Sequence, residues 1–304
     1  HTTGVVKAVD GVTFSVMEGE TLGLVGESGC GKSTIGRQLV RLERPTEGKI
    51  YYEGRDLAAC SAGEMKKIRT QLQMVFQDSY SSLNPRKHIY EILSQPMLYH
   101  HISTPETVSK DVDQILDMVG LSRNVLGRYP HEFSGGQRQR LCIARALEVR
   151  PEVLICDEPV SALDVSIQAQ VLNLMKKIQK DLNLTYLFIA HDLSVVQYMS
   201  NRIVVMYLGK IVEIADSRSL YDTPLHPYAQ ALLSAIPVPK IHQEKKRIVL
   251  QGEVPSPINK PSGCAFHPRC PHCMDICKKV DPALVHYKDS SHMAACHLYG
   301  KQEA

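Results

Sequence analysis

The sequence lacks several features that would point to a membrane span, secretion or nucleic acid. No run of roughly eighteen apolar residues occurs, so no helical membrane span is expected. The opening HTTGVVKAVDGVTF has neither the basic start nor the apolar stretch of a secretory signal. Blocks of Lys or Arg are missing beyond EKKR at 244–247, and the net charge of +3 gives little case for a nucleic-acid partner. We therefore expect a cytosolic protein whose contact with a membrane is indirect.

An initiator methionine is also missing, and the residues that are present fit a globular protein. The chain starts at His1 and enters a strand-like pattern almost at once, so we expect that upstream residues have been lost. Hydrophobic residues make up 43% and charged residues 22% of its 304 residues, enough for one large domain or two modest ones. Five of the nine cysteines lie near the end of the chain: Cys264, Cys270, Cys273, Cys277 and Cys296. In a reducing cytosol this group favours metal or cluster ligands over disulfides.

Four short, almost continuously apolar segments predict buried strands of a parallel sheet. They span residues 21–25, 72–77, 153–158 and 185–191. A helical pattern from Val165 to Leu182 lies between the third and the fourth segment, as expected where helices connect parallel strands. The predicted fold class is therefore α/β.

Segments of different character interrupt and extend this α/β core. Residues 78–150 combine polar turns with helical patterns over 105–119 and 135–149, which predicts a helical subdomain. After two strand-like runs within 202–213, a segment rich in Pro, Gly and charge predicts a linker to a small module held by its cysteines. The predicted domains are residues 1–235 and residues 236–304.

The segment GESGCGKS, residues 26–33, fits the pattern G-x-x-x-x-G-K-[ST] of a phosphate-binding loop, the P-loop. It follows a predicted strand and opens a helix with Ile35, Leu39 and Leu42 on one side. The glycines let backbone N–H groups surround a β-phosphate, Lys32 is expected to reach the β- and γ-oxygens, and Ser33 to ligate Mg²⁺. The predicted nucleotide contacts are Gly26, Glu27, Ser28, Gly29, Cys30, Gly31, Lys32, Ser33 and Thr34.

The apolar segment VLICDEP ends in two carboxylates. Asp157 is expected to hold Mg²⁺ directly or through water, and Glu158 to polarise an attacking water. On its own, a strand that ends in Asp-Glu is more often a surface cap. Here it follows a P-loop at a distance that lets both strands join one sheet, which favours the catalytic interpretation.

The segment FSGGQRQRLCIARAL, residues 133–147, resembles the signature sequence of ABC-transporter ATPases. Its serine and glycines precede a helix, so that N–H groups and a hydroxyl are presented to an anion. In this family two ATPases enclose two nucleotides between them. The resemblance therefore implies that Ser134, Gly135, Gly136 and Gln137 contact ATP bound to a partner subunit.

The resemblance covers essentially the whole chain and implies further roles. Gln77 matches the glutamine that senses Mg²⁺ and the membrane partner, so the implied Mg²⁺ ligands are Ser33, Gln77 and Asp157. His191 matches the switch histidine that contacts the γ-phosphate, and with Glu158 it forms the implied catalytic set. The loop that links the paired sites matches Ser161, Ala162, Leu163 and Asp164. The implied fold is a P-loop NTPase, an ABC-type nucleotide-binding domain with a helical subdomain, which uses ATP and Mg²⁺ and carries a small C-terminal cysteine-rich module.

Two further segments are similar to the paired ATPase subunits of oligopeptide and dipeptide importers: FQDSYSSLNPRK at 76–87 and HPYAQALLSAIPVP at 226–239. The tyrosine in the first segment and YPHEFSGGQ favour the F-type subunit of the pair. This implies an ATP hydrolase that powers peptide import, peripheral at the cytoplasmic face of the cell membrane. Its implied partners are a homologous D-type ATPase subunit in a heterodimer, two transmembrane permease subunits that dock on residues 78–95, and an extracytoplasmic peptide-binding protein.

The tail segments GCAFHPRCP and HMAACH complete this match. In this group Cys264, Cys270, Cys277 and Cys296 occupy positions that ligate a [4Fe–4S] cluster. The spacing C-x5-C-x6-C-x18-C by itself fits neither common ferredoxin pattern, and Cys270-Pro-His-Cys273 resembles half a zinc site. Four thiolates suit both, so Zn²⁺ stays an alternative to the iron–sulfur cluster. In either case we expect the metal to stabilise a module with a small core.

The sequence leaves two alternative functions open. Related ATPases drive importers of nickel or other small solutes. DNA-repair ABC ATPases share these motifs but separate the P-loop from the signature by long coiled coils, whereas about a hundred residues without sustained heptads separate them here. The family also stacks adenine on an aromatic residue before the P-loop. No aromatic residue precedes Phe14, which is predicted to lie in a strand, so no stacking residue is assigned.

Overall fold

The structure is a computed structural model that describes residues 4–236, 247–288 and 290–299. Residues 237–246 of the predicted linker lie outside the described residues. The chain divides into two compact units. The first unit comprises residues 1–15, 21–35 and 190–304, and the second comprises residues 16–20 and 36–189.

The described strands and helices follow one another along the chain. The strands are β1 (Thr21–Val25), β2 (Tyr51–Tyr52), β3 (Arg55–Asp56), β4 (Leu72–Val75), β5 (Val153–Asp157), β6 (Thr185–Ile189), β7 (Arg202–Tyr207), β8 (Lys210–Asp216), β9 (Val285–His286) and β10 (Met293–Ala294). The helices are α1 (Lys32–Leu39), α2 (Ala62–Gln71), α3 (Ile89–Tyr99), α4 (Val108–Val119), α5 (Gly135–Leu147), α6 (Val165–Leu182), α7 (Leu193–Met199), α8 (Ser217–Asp222) and α9 (Pro227–Ser234).

The second unit contains a parallel sheet in which β5 lies between β4 and β6. Cys156 of β5 is paired with Val75 on one side and Phe188 on the other. All five residues of β6 are buried, as are four of the five in β5. Continuous apolar runs are typical of strands covered on both faces, and the predicted parallel arrangement of these three segments is confirmed.

Helix α6 has the predicted bounds, and its ends show why. Asp164 takes the extended N-cap conformation, and Asn183 takes a left-handed conformation with φ 51° that ends the helix. Val171, Met175 and Ile178 recur at helical spacing and are buried. The apolar residues whose spacing predicted the helix are therefore the residues that it buries.

Helices α3, α4 and α5 lie within residues 78–150 of the second unit, the segment predicted to be helical. Helix α4 buries Val112 and Leu116 completely, and α5 buries Leu141 and Ala144. Gly120 ends α4 with φ 68°, in the left-handed region that favours glycine. The two predicted helical patterns are confirmed, although α4 begins three residues later and α5 ends two residues earlier than expected.

The first unit contains strands in the order β1, β7, β8, β10, β9. β1 and β7 are parallel, and the neighbouring pairs after them are antiparallel. Met293 and Ala294 of β10 pair with Ile214 and Glu213 of β8. The cysteine-rich tail therefore extends the sheet that contains β1.

Three local predictions are wrong. The segment 72–77 pairs with β5 only as far as Val75, so Gln77 lies two residues beyond the strand. Leu42 is 57% exposed and outside α1, because Arg41 adopts φ 55° and the helical path has ended. Phe14 lies in a segment that pairs with no other strand in the described part of the chain.

Candidate nucleotide-binding site

The P-loop joins β1 to α1 in the first unit. Gly26, Gly29 and Gly31 have positive φ values of 155°, 78° and 104°. A Cβ atom on Gly26 would also lie 2.3 Å from the carbonyl oxygen of Met206. The loop can therefore take this path only with glycine at that position, and successive glycine-rich turns of this kind form anion cradles.

Lys32 is the first residue of α1 and is only 5% exposed. Its Nζ donates to the carbonyl oxygens of Gly26 and Glu27, at 2.7 and 3.1 Å, and lies 3.8 Å from the sulfur of Cys30. Burial raises the pKa of the Cys30 thiol despite the nearby ammonium charge, so the thiol stays protonated at neutral pH. The ammonium group of Lys32 is thus held within the loop where it is predicted to bind phosphate.

Groups far away in the sequence also hold the P-loop. The N–H of Gly209 donates to the carbonyl oxygen of Cys30 at 3.0 Å, and the hydroxyl of Tyr228 accepts from the N–H of Glu27 at 2.9 Å. The guanidinium of Arg269 binds the carboxylate of Glu27 at 2.9 and 3.2 Å. Sequence reasoning missed Tyr228 and Arg269 because they lie 201 and 242 residues from Glu27, and no motif spacing connects them.

The two predicted carboxylates lie at the end of β5 in the second unit. Asp157 is the last residue of the strand and is 3% exposed, whereas Glu158 is partly exposed. Glu158 has φ 47°, a left-handed conformation that is uncommon for residues other than glycine and is often retained at functional sites. Gln77 donates from Nε2 to Oε2 of Glu158 at 2.8 Å. The structure therefore brings together the predicted base and the predicted sensor glutamine.

The loop of Ser161, Ala162, Leu163 and Asp164 follows directly in the same unit. The Ser161 hydroxyl donates to the carbonyl oxygen of Glu158 at 3.1 Å. A Cβ atom on Gly135 would lie 3.4 Å from Leu163, so this loop packs beside the first glycine of the signature. The predicted loop and the predicted signature are therefore neighbours within the second unit.

The signature forms the start of α5. Ser134 is the N-cap: its hydroxyl accepts from the N–H of Gln137 at 3.4 Å, and the Gln137 side chain accepts from the N–H of Ser134 at 3.2 Å. Such a reciprocal capping box stabilises the helix start. Ser134 and Gln137 are exposed, and Gly135 and Gly136 are partly exposed. The signature thus presents the N-terminus of a 13-residue helix at the surface of its unit.

His191 lies in the first unit and is exposed. It directly precedes Asp192, whose carboxylate accepts from the N–H groups of Ser194 and Val195 at 2.8 and 3.4 Å and so caps α7. The cap fixes the backbone next to the histidine. The position of His191 is therefore set by the start of α7.

Four cysteines of the tail interact with one another. Burial raises the pKa of the Cys264 thiol to about 11, and the proximity of other tail cysteines adds to the shift. The pKa of Cys296 is also raised to about 11, by burial and then by Cys270 and Cys277. The N–H of Cys264 donates to the carbonyl oxygen of Cys277 at 2.8 Å. These cysteines all belong to the first unit, and their role as ligands stays a prediction.

A single-ion site is a separate question. Within residues 4–236, 247–288 and 290–299, no three side chains of His, Cys, Asp or Glu lie close enough together to hold one metal ion. Cys273, the cysteine left outside the predicted ligand set, is exposed. The described residues thus form no group that could hold a metal ion.

Comparison with protein families identifies the class. A family model described as "ABC transporter" matches residues 9–161, and a second, described as "Oligopeptide/dipeptide transporter, C-terminal region", matches residues 212–277. The first match covers half of the chain and includes the P-loop, the signature and both carboxylates. The chain therefore belongs to the ABC transporter family as one of its ATPases.

Curated relatives narrow this class. The chain is 56% identical over 301 residues to the oligopeptide transport ATP-binding protein AppF of Bacillus subtilis, with 97% of this chain and 91% of the relative covered. It is 51% identical over 282 residues to the oligopeptide transport ATP-binding protein OppF of Salmonella typhimurium, with 92% and 84% covered. Both relatives carry the same kind of name, in agreement with the predicted branch of the family.

Solved structures support the fold. A dimeric structure of the ABC transporter cassette MJ0796 matches with TM-score 0.63 and 29% identity, covering 69% of this chain and 91% of that one. CbiO1 of Clostridium perfringens, part of the transporter complex cbiONQ, matches with TM-score 0.64 and 27% identity, covering 71% and 84%. The predicted ABC-type cassette is confirmed. Among the described residues, no helix is both long and apolar enough for a membrane span.

Proposed function

We propose that this chain binds and hydrolyses MgATP to power the import of oligopeptides or dipeptides through an ABC transporter. The observation that carries the proposal is the P-loop, with Lys32 fixed against the carbonyls of Gly26 and Glu27 at the start of α1. A helix start and a buried ammonium favour a polyphosphate. The peptide substrate is inferred from relatives that are more than half identical and named for oligopeptide transport.

Hydrolysis needs a base and a metal ion, and the sequence motifs supply candidates for both. We assign Glu158 as the base that takes a proton from the attacking water, and Asp157, Ser33 and Gln77 as residues that hold Mg²⁺ directly or through water. Oxygen donors of this kind suit Mg²⁺. Because Gln77 donates a hydrogen bond to Glu158 at 2.8 Å, a displacement of the glutamine side chain would alter the hydrogen bonding of the base. His191 is assigned to the γ-phosphate.

The signature is assigned to ATP bound by a partner ATPase. Its helix start is exposed, and the related cassette MJ0796 is described as dimeric. We propose a homologous D-type subunit as the partner here, so that Ser134, Gly135, Gly136 and Gln137 contact its nucleotide. The neighbouring loop at 161–164 would then connect the signature with the site of hydrolysis, because the Ser161 hydroxyl donates to the backbone carbonyl of Glu158.

Permease subunits are proposed to dock on the second unit. A groove of about 170 Å³ there is lined by residues that include Leu42, Arg69, Phe76, Ser82 and Arg145. It includes residues on both sides of Gln77 and borders the predicted docking segment 78–95. Docking at this groove would hold the chain at the cytoplasmic face of the membrane, and an extracytoplasmic peptide-binding protein would join through the permeases.

The four tail cysteines are proposed to ligate a [4Fe–4S] cluster in a separate C-terminal module, residues 236–304. Four thiolates suit either an iron–sulfur cluster or Zn²⁺, which stays the alternative. A cluster takes one thiolate at each of four irons, so its ligands stand further apart. The mutual influence of Cys264, Cys270, Cys277 and Cys296 supports this set. When bound, the cluster would supply bonds that hold the module together.

Substitution of Lys32 by Ala tests the nucleotide site. MgATP binding to the purified chain, measured by calorimetric titration, is expected to weaken by at least about tenfold, because the variant loses the charge that faces the phosphates. Lys180, a basic residue in the last turn of α6, provides the control, and Lys180→Ala should bind like the wild type. Equal affinity in Lys32→Ala and the wild type would contradict the assignment of the P-loop.

The transported substrate requires the assembled complex. We expect ATP hydrolysis by the chain, reconstituted with its permeases and binding protein, to rise when di- or oligopeptides are added. Stimulation by nickel complexes without any response to peptides would instead support the alternative importer.

A further inference from the structure

The cysteine-rich tail contacts the P-loop through one arginine. Arg269 lies in a 3-10 turn, His267–Arg269, directly before Cys270. Its Nη1 donates to Oε2 of Glu27 at 2.9 Å, and its Nη2 donates to Oε1 of the same carboxylate at 3.2 Å. Glu27 is the second residue of the P-loop. All of these residues belong to the first unit.

This ion pair is well protected from solvent. The side chain of Arg269 is 8% exposed and that of Glu27 is 26% exposed. Exposed ion pairs contribute little, but paired hydrogen bonds in a bidentate, largely buried arrangement are stronger and more directional. The Arg269–Glu27 pair can therefore restrain the loop in a way that a surface pair could not.

Aromatic side chains support the arginine from the same unit. The Tyr207 hydroxyl lies 3.5 Å from Nη1 of Arg269, and its ring packs at 4.8 Å from Tyr228 and 5.2 Å from Phe266, measured between ring centroids. Tyr228 in turn accepts from the N–H of Glu27 at 2.9 Å. Glu27 is thus held at its backbone by one end of this cluster and at its carboxylate by the other.

The restrained residue is also in contact with Lys32, the lysine assigned to the phosphates. The carbonyl oxygen of Glu27 accepts from Nζ of Lys32 at 3.1 Å, and the neighbouring Gly26 accepts at 2.7 Å. A displacement of Glu27 would therefore move an oxygen that fixes the lysine. A continuous set of contacts leads from the cysteine turn through Arg269 and Glu27 to Lys32.

We propose that Arg269 is a positioning residue for the P-loop, through which the folded cysteine turn stabilises the conformation that binds ATP. The inference rests on the proposed role of the P-loop. It predicts thermodynamic coupling: because linkage is reciprocal, a tail that favours the binding conformation is itself stabilised when MgATP binds. A pair that only held the tail to the sheet would show no such coupling.

The test compares variants of the full-length chain by calorimetric titration with MgATP, with metal and sulfide content measured on the same samples. Arg269→Met keeps the length of the side chain but removes its charge, and should weaken binding about tenfold at unchanged metal content, a typical size for coupled sites. Glu27→Gln should have a similar effect, and the double variant should lose little more than either single variant, since both remove one interaction. Arg269→Lys should fall between Arg269→Met and the wild type, because it keeps the charge without the bidentate geometry.

A second ion pair of the tail provides the matched control. Lys210 of β8 binds Asp281, and within the described part of the chain neither side chain forms a hydrogen bond or ion pair with a P-loop residue. Asp281→Asn therefore removes a link between the tail and the sheet and should leave MgATP affinity within about twofold of the wild type, as expected for an independent site. An equal loss in Asp281→Asn, or wild-type affinity in both Arg269→Met and Arg269→Lys, would overturn the inference. Failure of the wild-type chain to bind MgATP, or normal binding by Lys32→Ala, would instead overturn the proposed function.

Discussion

The close contact at Gly136 allows a prediction in which an adjacent residue serves as the control. A Cβ atom on Gly136 would lie 2.4 Å from Cγ2 of Ile167, far inside normal contact distance. A Cβ atom on Gly135 would lie 3.4 Å from Cδ2 of Leu163, which is ordinary contact. Both glycines are in the first turn of α5, so Ala should bring a similar gain in helix propensity at each.

The difference between Gly136→Ala and Gly135→Ala therefore isolates the cost of the steric conflict. Ile167 is β-branched and lies within α6, where its χ1 angle is restricted, so the methyl group cannot simply rotate away. Overpacking of this kind costs about 1–3 kcal/mol, and we expect Gly136→Ala to be less stable than Gly135→Ala by that amount.

Urea unfolding followed by far-ultraviolet circular dichroism measures this difference. Adding Ile167→Ala to each variant provides a further check: Gly136→Ala should regain most of its loss in that background, whereas Gly135→Ala should not, because coupling is confined to groups in contact. Equal midpoints for the two glycine variants would refute the reasoning and would mean that α5 and α6 separate at little cost.

The remaining predictions concern catalysis and pH. Glu158→Gln in the assembled complex should lower ATP hydrolysis by roughly 10²–10⁴-fold while MgATP still binds, because the variant loses the general base. His226→Asn should make stability depend less on pH. Burial lowers the pKa of His226 from 6.5 to about 3, so between these values the unfolded chain binds a proton that the folded chain does not. Stability therefore falls as the pH is lowered through that window. Between pH 7 and 5.5 the wild type should lose about 1 kcal/mol through this group, as measured by urea unfolding, and the variant should lose correspondingly less.

Each of these outcomes has a clear contrary result. Near-normal hydrolysis by Glu158→Gln would remove the glutamate from its assigned role, and a loss of MgATP binding would mean that the substitution had damaged the site itself. His226 is the N-cap of α9 and accepts from the N–H of Tyr228 at 3.1 Å, and Asn can replace that cap. The same pH dependence in the wild type and in His226→Asn would assign the effect to other groups.

The sequence predicted best those features that local pattern controls. Strand β1 and helix α6 have the predicted bounds because apolar periodicity and end residues determine them, and the P-loop follows from its own glycines. Ends governed by backbone conformation were less predictable. No sequence pattern predicts the left-handed conformation of Arg41, which ends the helical path before Leu42, or that of Glu158 at the end of β5.

Contacts between distant segments were the least predictable part. The order of the motifs predicted that Gln77 and Glu158 serve the same nucleotide site, but only the fold shows the hydrogen bond between their side chains. Arg269 was not assigned a role from the sequence. It lies between Cys264 and Cys270, which were interpreted as metal ligands. Its partner, Glu27, occupies a variable position of the P-loop pattern.

A variable P-loop position is open to interactions specific to one branch of a family, because phosphate binding is assigned to the loop backbone and to Lys32. Here that position is Glu27, and the tail provides its counter-charge. The same tail adds β10 to the edge of β8, so it is joined to the first unit both by backbone pairing and by an ion pair at the P-loop. Since Arg269 directly precedes Cys270, we expect a change in the cysteine turn to displace the guanidinium and with it the loop. The proposed C-terminal module is therefore joined to the part of the first unit that contains the P-loop.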